Sequence, residues 1–193
     1  MGQRLNIEIV NGETSLANCY YHWSAYTSSA LSLTKTIIDA YYDSKLIVGL
    51  KMAVELLEAT GAGVNTLERA GIEKCQKEFD GITFKDAASR NLGLISVTEE
   101  GKEVTRKWEE GRVTIDLGSE TFCFDVVWDD PFDVYLEEYH DGNGSVTYED
   151  LSECPYNLSS VPFIDIGDLI FFVDSHPEGC REGEEAVIHW IGG

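Results

Sequence analysis

Apolar and polar positions alternate from the start of the chain, with Leu5, Ile7 and Ile9 set against Asn6 and Glu8, and this period of two predicts a half-buried strand. Asn11-Gly12 supplies a turn able to take positive φ. Leu16 to Trp23 is aromatic and β-prone and returns as the hairpin partner, with Asn18, Tyr20 and His22 on one face and Cys19, Tyr21 and Trp23 on the other. A helix starting as early as Ser15 is the competing assignment for this stretch. The period then lengthens. Ser28 or Ser29 caps a helix to about Tyr42, with Leu33, Ile37 and Tyr41 on one face and Ala30 and Ile38 beside them. Asp43-Ser44 breaks it and caps a second helix bearing Leu46, Ile47, Leu50, Ala53, Val54 and Leu57, which Gly61-Ala62-Gly63 ends. Asn65 or Thr66 opens a third helix, with Leu67, Ala70, Cys75 and Phe79 inward, and Gly71 weakens its middle by about 1 kcal/mol relative to Ala.

Beyond Asp80-Gly81 the period returns to two. Ile82 to Phe84 is a short extended piece, Leu92 to Thr98 is strand-like, and Glu103 to Trp108 returns after the turn at 99–102. Arg112 to Leu117 and Thr121 to Trp128 form a hairpin around Gly118-Ser119, so the region reads as an antiparallel meander. Phe132 to Tyr139 forms a short helix with Pro131 at its first position. Gly167-Asp168 separates two strands, of which Leu169 to Val173 is fully buried, and Ala186 to Ile191 closes the chain as a strand. The predicted class is α+β: an N-terminal β-hairpin plus about three helices, followed by an antiparallel sheet with short helices. One compact domain over 1–193 is expected, divisible near 80–92 into a helical N-terminal part and an acidic, β-rich C-terminal part.

Charge changes this picture. The formal net charge is -21, from 35 acidic and 14 basic residues. Residues 1–98 hold 11 acids and 9 bases, net -2, whereas residues 99–193 hold 24 acids and 5 bases, net -19. Between Arg112 and Arg181 lie sixteen carboxylates and no Lys or Arg. The same stretch carries Phe122, Phe124, Val126, Trp128 and the run from Phe163 to Val173, too much apolar surface for a disordered acidic tail. Direct binding to nucleic acid is not expected of a half without the cations that grip phosphates. A basic protein is the natural partner, and one that handles nucleic acid is the sharpest form of that expectation. The chain then acts as an acidic interaction module, an inhibitor occupying a nucleic-acid-binding surface as a DNA or RNA mimic. The residues expected to form this surface are Asp129, Asp130, Asp133, Glu137, Glu138, Asp141, Glu149, Asp150 and Glu153, with Tyr135 and Tyr148 adding contact area. The bland reading is a merely solubilising face.

The first 45 or so residues resemble a group of small bacterial and phage proteins that open with Met-Gly and an Arg. Those proteins run through a strand, an Asx/Asn-Gly turn and a second strand, then a Tyr-x-x-Trp-x-x-Tyr string before a helix. Met1, Gly2, Arg4, Asn11-Gly12-Glu13, Tyr20, Trp23 and Tyr26 carry the resemblance, and Ser24-Ala25-Tyr26-Thr27 stands where that group continues Asp-Gly-Tyr-Pro. It implies a bacterial or phage accessory protein and no activity.

Residues 139–150 resemble the calcium loop of the EF-hand family. Asp141 and Asn143 fall on the third and fifth positions, Gly144 on the glycine of the sharp turn, Ser145 on the seventh, Thr147 on the ninth and Asp150 on the twelfth. Tyr139 occupies the first position, where the family needs an Asp oxygen, and Asp150 is one methylene shorter than the usual bidentate Glu. The resemblance implies weak calcium binding or a vestigial loop; a plain helix-to-strand turn uses the same residue types. Asp174, His176 and Glu178 are a second, weaker metal candidate in a Pro/Gly loop.

An enzyme is the alternative to a binder, namely a small carboxylate- or metal-dependent hydrolase. A third reading is a soluble accessory protein with a degenerate calcium loop. Cys19 with His22 and Cys180 with His176 are the thiol candidates; in a strand the first pair points to opposite faces. No Walker loop, dinucleotide fingerprint or serine elbow is present. Five cysteines, odd in number and without a Cys-x-x-Cys pair, and no signal peptide at the opening predict a reduced, cytoplasmic protein, with Cys19, Cys75 and Cys123 in the core. No membrane span and no resident cofactor are expected.

Overall fold

Leu5, Ile7 and Ile9 are fully buried on one face of β1 (Leu5–Asn11), as their alternation predicts. Gly12, at φ 59, turns the chain into β2 (Thr14–Tyr21), which pairs antiparallel with β1. Both strands are strands along their length, so the helical alternative from Ser15 is discarded. A computed structural model describes residues 3–65, 81–97, 109–126, 163–164, 166–167, 170 and 186–190. The hairpin is followed by α1 (Thr27–Asp43), α2 (Leu50–Glu58) and β3 (Gly63–Asn65). Then come β4 (Gly81–Ile82), α3 (Phe84–Arg90), β5 (Leu94–Ser96), β6 (Gly111–Asp116), β7 (Thr121–Val126), β8 (Phe163–Ile164) and β9 (Ala186–Trp190). The class is α+β, with the N-terminal hairpin, helices and later sheet in the expected order.

Among the described residues the nine strands join one sheet in the order β4-β3-β5-β2-β1-β6-β7-β9-β8. The expected meander through 92–128 holds only for its β6–β7 hairpin. β5 and β6 lie on opposite sides of β1–β2, β5 beside β2 and β6 parallel to β1 with Ile7 opposite Val113. β1 is an interior strand whose backbone needs a ladder on each edge, and β6 supplies the second of them from far along the chain. Its second face is covered as well: Glu8 is only 5% exposed and Asn6 and Asn18 are buried, so the strand expected to be half-buried is buried on both sides.

The core lies between the sheet and α1 and α2. Leu31, Ile37 and Ile38 of α1 and Met52, Leu56 and Leu57 of α2 pack with Leu5, Ile7, Ile9, Val113, Ile115 and Phe122. Fully burying each such side chain contributes about 1.5–3 kcal/mol. α2 starts at Leu50 rather than Leu46. Ser44 Oγ accepts from Leu46 N at 3.2 Å, and Ile47 stands 91% exposed at the tip of the loop. α3 had no counterpart among the predicted elements. Its capping box is complete: Thr83 Oγ1 accepts from Asp86 N while the Asp86 carboxylate accepts from Thr83 N. Near the C-terminus, Ile166, Gly167 and Ile170 are helical, which corrects the predicted strand break at Gly167-Asp168. Apolar residues at 166, 169, 170 and 173 have helical spacing, and the expectation of a buried strand overrode it. The third helix predicted to open at Asn65 or Thr66 lies outside the described residues except for Asn65, which is the last residue of β3, and so does the strand at 103–108.

Two contacts tie the distant parts together. Gly93 passes so near β2 that a Cβ on it would sit 2.6 Å from both Cys19 Sγ and Tyr21 Cε1 and 2.7 Å from Ala62 Cβ. Asp116 Oδ1 accepts from Gly12 N and Gly118 N, each at 2.9 Å, and its Oδ2 accepts from Ser119 Oγ at 2.8 Å. One carboxylate thereby joins the β1–β2 turn to the β6–β7 turn.

Candidate functional site

At the end of β2 the backbone N–H groups of Ser24 and Ala25 both donate to Gln3 O, at 2.9 and 3.1 Å, and the chain turns into α1. Tyr26 occupies the N-cap position without a side-chain cap bond, and no acidic residue stands in the first turn. The i to i-4 ladder begins with Ala30 N donating to Tyr26 O at 2.9 Å, so the N–H groups before it have no partner within the helix. Ser28, Ser29, Ser32 and Leu33 of α1 face Tyr21, Ser24, Thr60 and Asn91 across a cleft of about 360 Å³.

The lining is almost entirely hydroxyl. Thr60 Oγ1 donates to Leu57 O at 2.6 Å, which uses its only proton, so the Tyr21 hydroxyl donates to Thr60 Oγ1 at 2.7 Å. Burial, reinforced by the neighbouring Cys19, pushes the Tyr21 phenol well above its ordinary value and keeps that proton in place. On the same helix Thr34 and Thr36 spend their hydroxyl protons on Ala30 O and Ser32 O. Among the described residues the side chains of Ser24, Ser28, Ser29 and Ser32 make no such bond. Ser24 is only 8% exposed. Among the described residues no carboxylate and no cation lines the cleft.

Cys19 and His22 do not meet. Cys19 faces the core, and burial pushes its thiol up to about 12, with the Tyr21 hydroxyl offsetting only part of the effect. His22 is on the other face, its Nδ1 2.6 Å from the Tyr20 hydroxyl. A thiol that stays protonated at neutral pH and lacks a base is a packing group. Trp23 and Phe84 flank His22, with ring centroids 4.7 and 6.1 Å from its own, and both are substantially exposed. On the second face of the sheet Glu8 accepts from Ser15 Oγ at 2.6 Å and Asn6 Nδ2 donates to Glu109 at 3.3 Å, while the buried Asn18 Nδ2 has no partner.

Of the acidic stretch, Asp116 and Glu120 are described in full, and both are structural. Partial burial opposes ionisation of Asp116, but its Gly12, Ser119 and Gly118 donors outweigh it and hold the carboxyl below the usual range. Glu120 adopts φ 54 in the turn before β7 and accepts from the Tyr41 hydroxyl at 3.3 Å. Arg112, the last cation before the acidic stretch, pairs with Glu109. The expected surface residues Asp129, Asp130, Asp133, Tyr135, Glu137, Glu138, Asp141, Tyr148, Glu149, Asp150 and Glu153 lie outside the described residues. So do the calcium-loop candidates Asn143, Ser145 and Thr147, the Asp174, His176 and Glu178 set, and Cys180. Among the described residues no group of three or more His, Cys, Asp or Glu side chains is placed to hold a metal ion. No described helix is long and apolar enough to cross a membrane.

Sequence reasoning treated Ser28 and Ser29 only as helix caps. Ser28, Ser29 and Ser32 recur one and four residues apart, a hydroxyl stripe on a helix, and that was the available signal; the Thr60 and Asn91 wall comes from segments whose approach only the fold reveals. Comparison with family models, with curated proteins and with solved structures finds no match to the chain.

Proposed function

We propose that the acidic half is an interaction surface for a basic protein, and that the chain inhibits a nucleic-acid-handling partner by occupying its phosphate-binding surface. The observation that carries this reading is the run of sixteen carboxylates without a cation between Arg112 and Arg181. Its placement in the chain adds support. The run supplies β7 and β8 to the same sheet as the charge-balanced N-terminal half, and residues 127–162 between those strands hold nine carboxylates and no Lys or Arg. Exposed carboxylates fastened to a packed body keep a dense negative field without the ordering cost of a disordered tail. Cys19 lies buried in the core, away from His22, which is in keeping with this reading.

The test is capture of partners from the native cell at low and then at high salt, followed by competition with duplex DNA or RNA on the purified pair. Binding should weaken steeply between about 50 and 300 mM salt, and nucleic acid should displace the protein. Replacing Asp129, Asp130, Asp133, Glu137 and Glu138 together by Asn and Gln should weaken binding at least about tenfold, a loss of about 1.4 kcal/mol. Salt-insensitive binding, or partners that nucleic acid does not displace, would reject the mimic.

A further inference from the structure

We infer that Asn11-Gly12 is a latent modification site, at which Gly12 N attacks the Asn11 carboxamide and converts it to a carboxylate when the Asp116 clamp on the turn is released. The inference does not depend on the acidic surface. An Asn followed by Gly is well suited to this ring closure, because glycine has no side chain to obstruct its own nitrogen. Among the described residues nothing else obstructs it: Asn11, Gly12 and Glu13 are exposed, and a Cβ on Gly12 would meet no atom within 4 Å. What restrains the nitrogen is a carboxylate. Gly12 N donates to Asp116 Oδ1 at 2.9 Å, and Asp116 is itself fixed by Gly118 N at 2.9 Å and Ser119 Oγ at 2.8 Å.

The conversion needs only solvent water. The Gly12 N–Asn11 Cγ bond forms and the Asn11 Cγ–Nδ2 bond breaks; the proton leaves Gly12 N through solvent, and the side-chain nitrogen departs as ammonia. Water then opens the cyclic imide at either carbonyl, giving aspartate or its isomer with the backbone routed through the side chain. No oxidant or reductant enters. The folded turn holds this reaction back. Gly12 N keeps its proton in a charge-assisted hydrogen bond, and a carboxylate that stays ionised at neutral pH opposes the negative charge that attack builds on the nitrogen. Asn11 is held extended, opposite Thr14 in the β1–β2 ladder. Its carboxamide oxygen lies against Gly118, 2.6 Å from where a Cβ on that glycine would stand, with Asp116 Oδ1 3.3 Å from the same point. Attack therefore requires the turn to open locally. The product places a second carboxylate beside Asp116, and like charges there oppose reclosure.

The experiment incubates the full chain at mildly alkaline pH, folded and in guanidinium chloride, and quantifies aspartate and isoaspartate at position 11 by peptide mapping with mass spectrometry. The folded wild type should convert at least about tenfold more slowly than the unfolded chain, as expected when a hydrogen bond to a charged group must break first. D116A, folded by circular dichroism, should convert at least about fivefold faster than folded wild type. D116N keeps an acceptor oxygen in the turn and serves if D116A does not fold; loss of the charge alone should speed conversion at least about twofold. G93A, destabilised in the core with the clamp intact, should convert at the wild-type rate. Folded wild type converting as fast as the unfolded chain, or G93A speeding conversion as much as the Asp116 variants, would overturn the inference. So would Asp116 variants that convert no faster than wild type, since the carboxylate would then be irrelevant or would act as the base that takes the Gly12 proton.

Discussion

Three residues show how single side chains set the limits of this fold. Gly93 leaves no room for a methyl group, because its neighbours Cys19, Tyr21 and Ala62 are buried parts of the core. Gly93→Ala should lower stability by about 1–3 kcal/mol, read as a shift in the urea midpoint at constant slope. Cys19 gives a chemical counterpart. With its thiol pushed up to about 12 and no exposure, it should resist iodoacetamide in the native protein and react once urea has unfolded the chain. Asp116 sets an acid limit. Its carboxyl sits below the ordinary value in the folded state, so ionisation favours folding. That contribution is fully present above the unfolded value of about 4 and is lost as pH falls through the lower folded value. Asp116→Asn should cost at most about 1 kcal/mol at neutral pH, since the group is largely solvent-screened, and should flatten the acid limb of a stability-versus-pH curve below about pH 4.

At the scale of elements, legibility in the sequence follows the range of the interaction. β1, the Asn11-Gly12 turn and the β6–β7 hairpin were readable because alternation and turn residues act over a few positions. α1 was readable from Ala30, Leu33 and Ile37 for the same reason. α3 carries its own signature in Thr83 and Asp86, and was passed over because seven residues offer too little apolar periodicity to attract notice. The parallel pairing of β1 with β6 was not readable, since Ile7 and Val113 stand far apart in the chain and no local pattern relates them. The serine cleft falls between these cases: its α1 wall is a local pattern, while Thr60 and Asn91 reach it through packing. Removing the α3 cap with Thr83→Ala should fray that helix, seen as faster hydrogen exchange at Ala87 to Arg90 with little change in global stability. Ile47→Ser should alter the unfolding midpoint by less than about 0.5 kcal/mol, because the side chain gains nothing from burial.

The whole molecule sets a packed, nearly neutral N-terminal half against a C-terminal half of net charge -19 that shares its sheet. Self-repulsion within that half opposes folding, and added sodium chloride should raise the thermal midpoint from low ionic strength up to about 0.15 M before the gain levels off. The sheet also joins what the chain order keeps apart, with Leu5 opposite Gly111 and Val10 opposite Asp116. During synthesis at about 5–20 residues per second, the first strand therefore waits on the order of 5–20 s for its second neighbour to be made. Throughout that interval the newborn chain carries the strongly apolar ribbon of Leu5, Ile7 and Ile9 with one of its two ladders still incomplete.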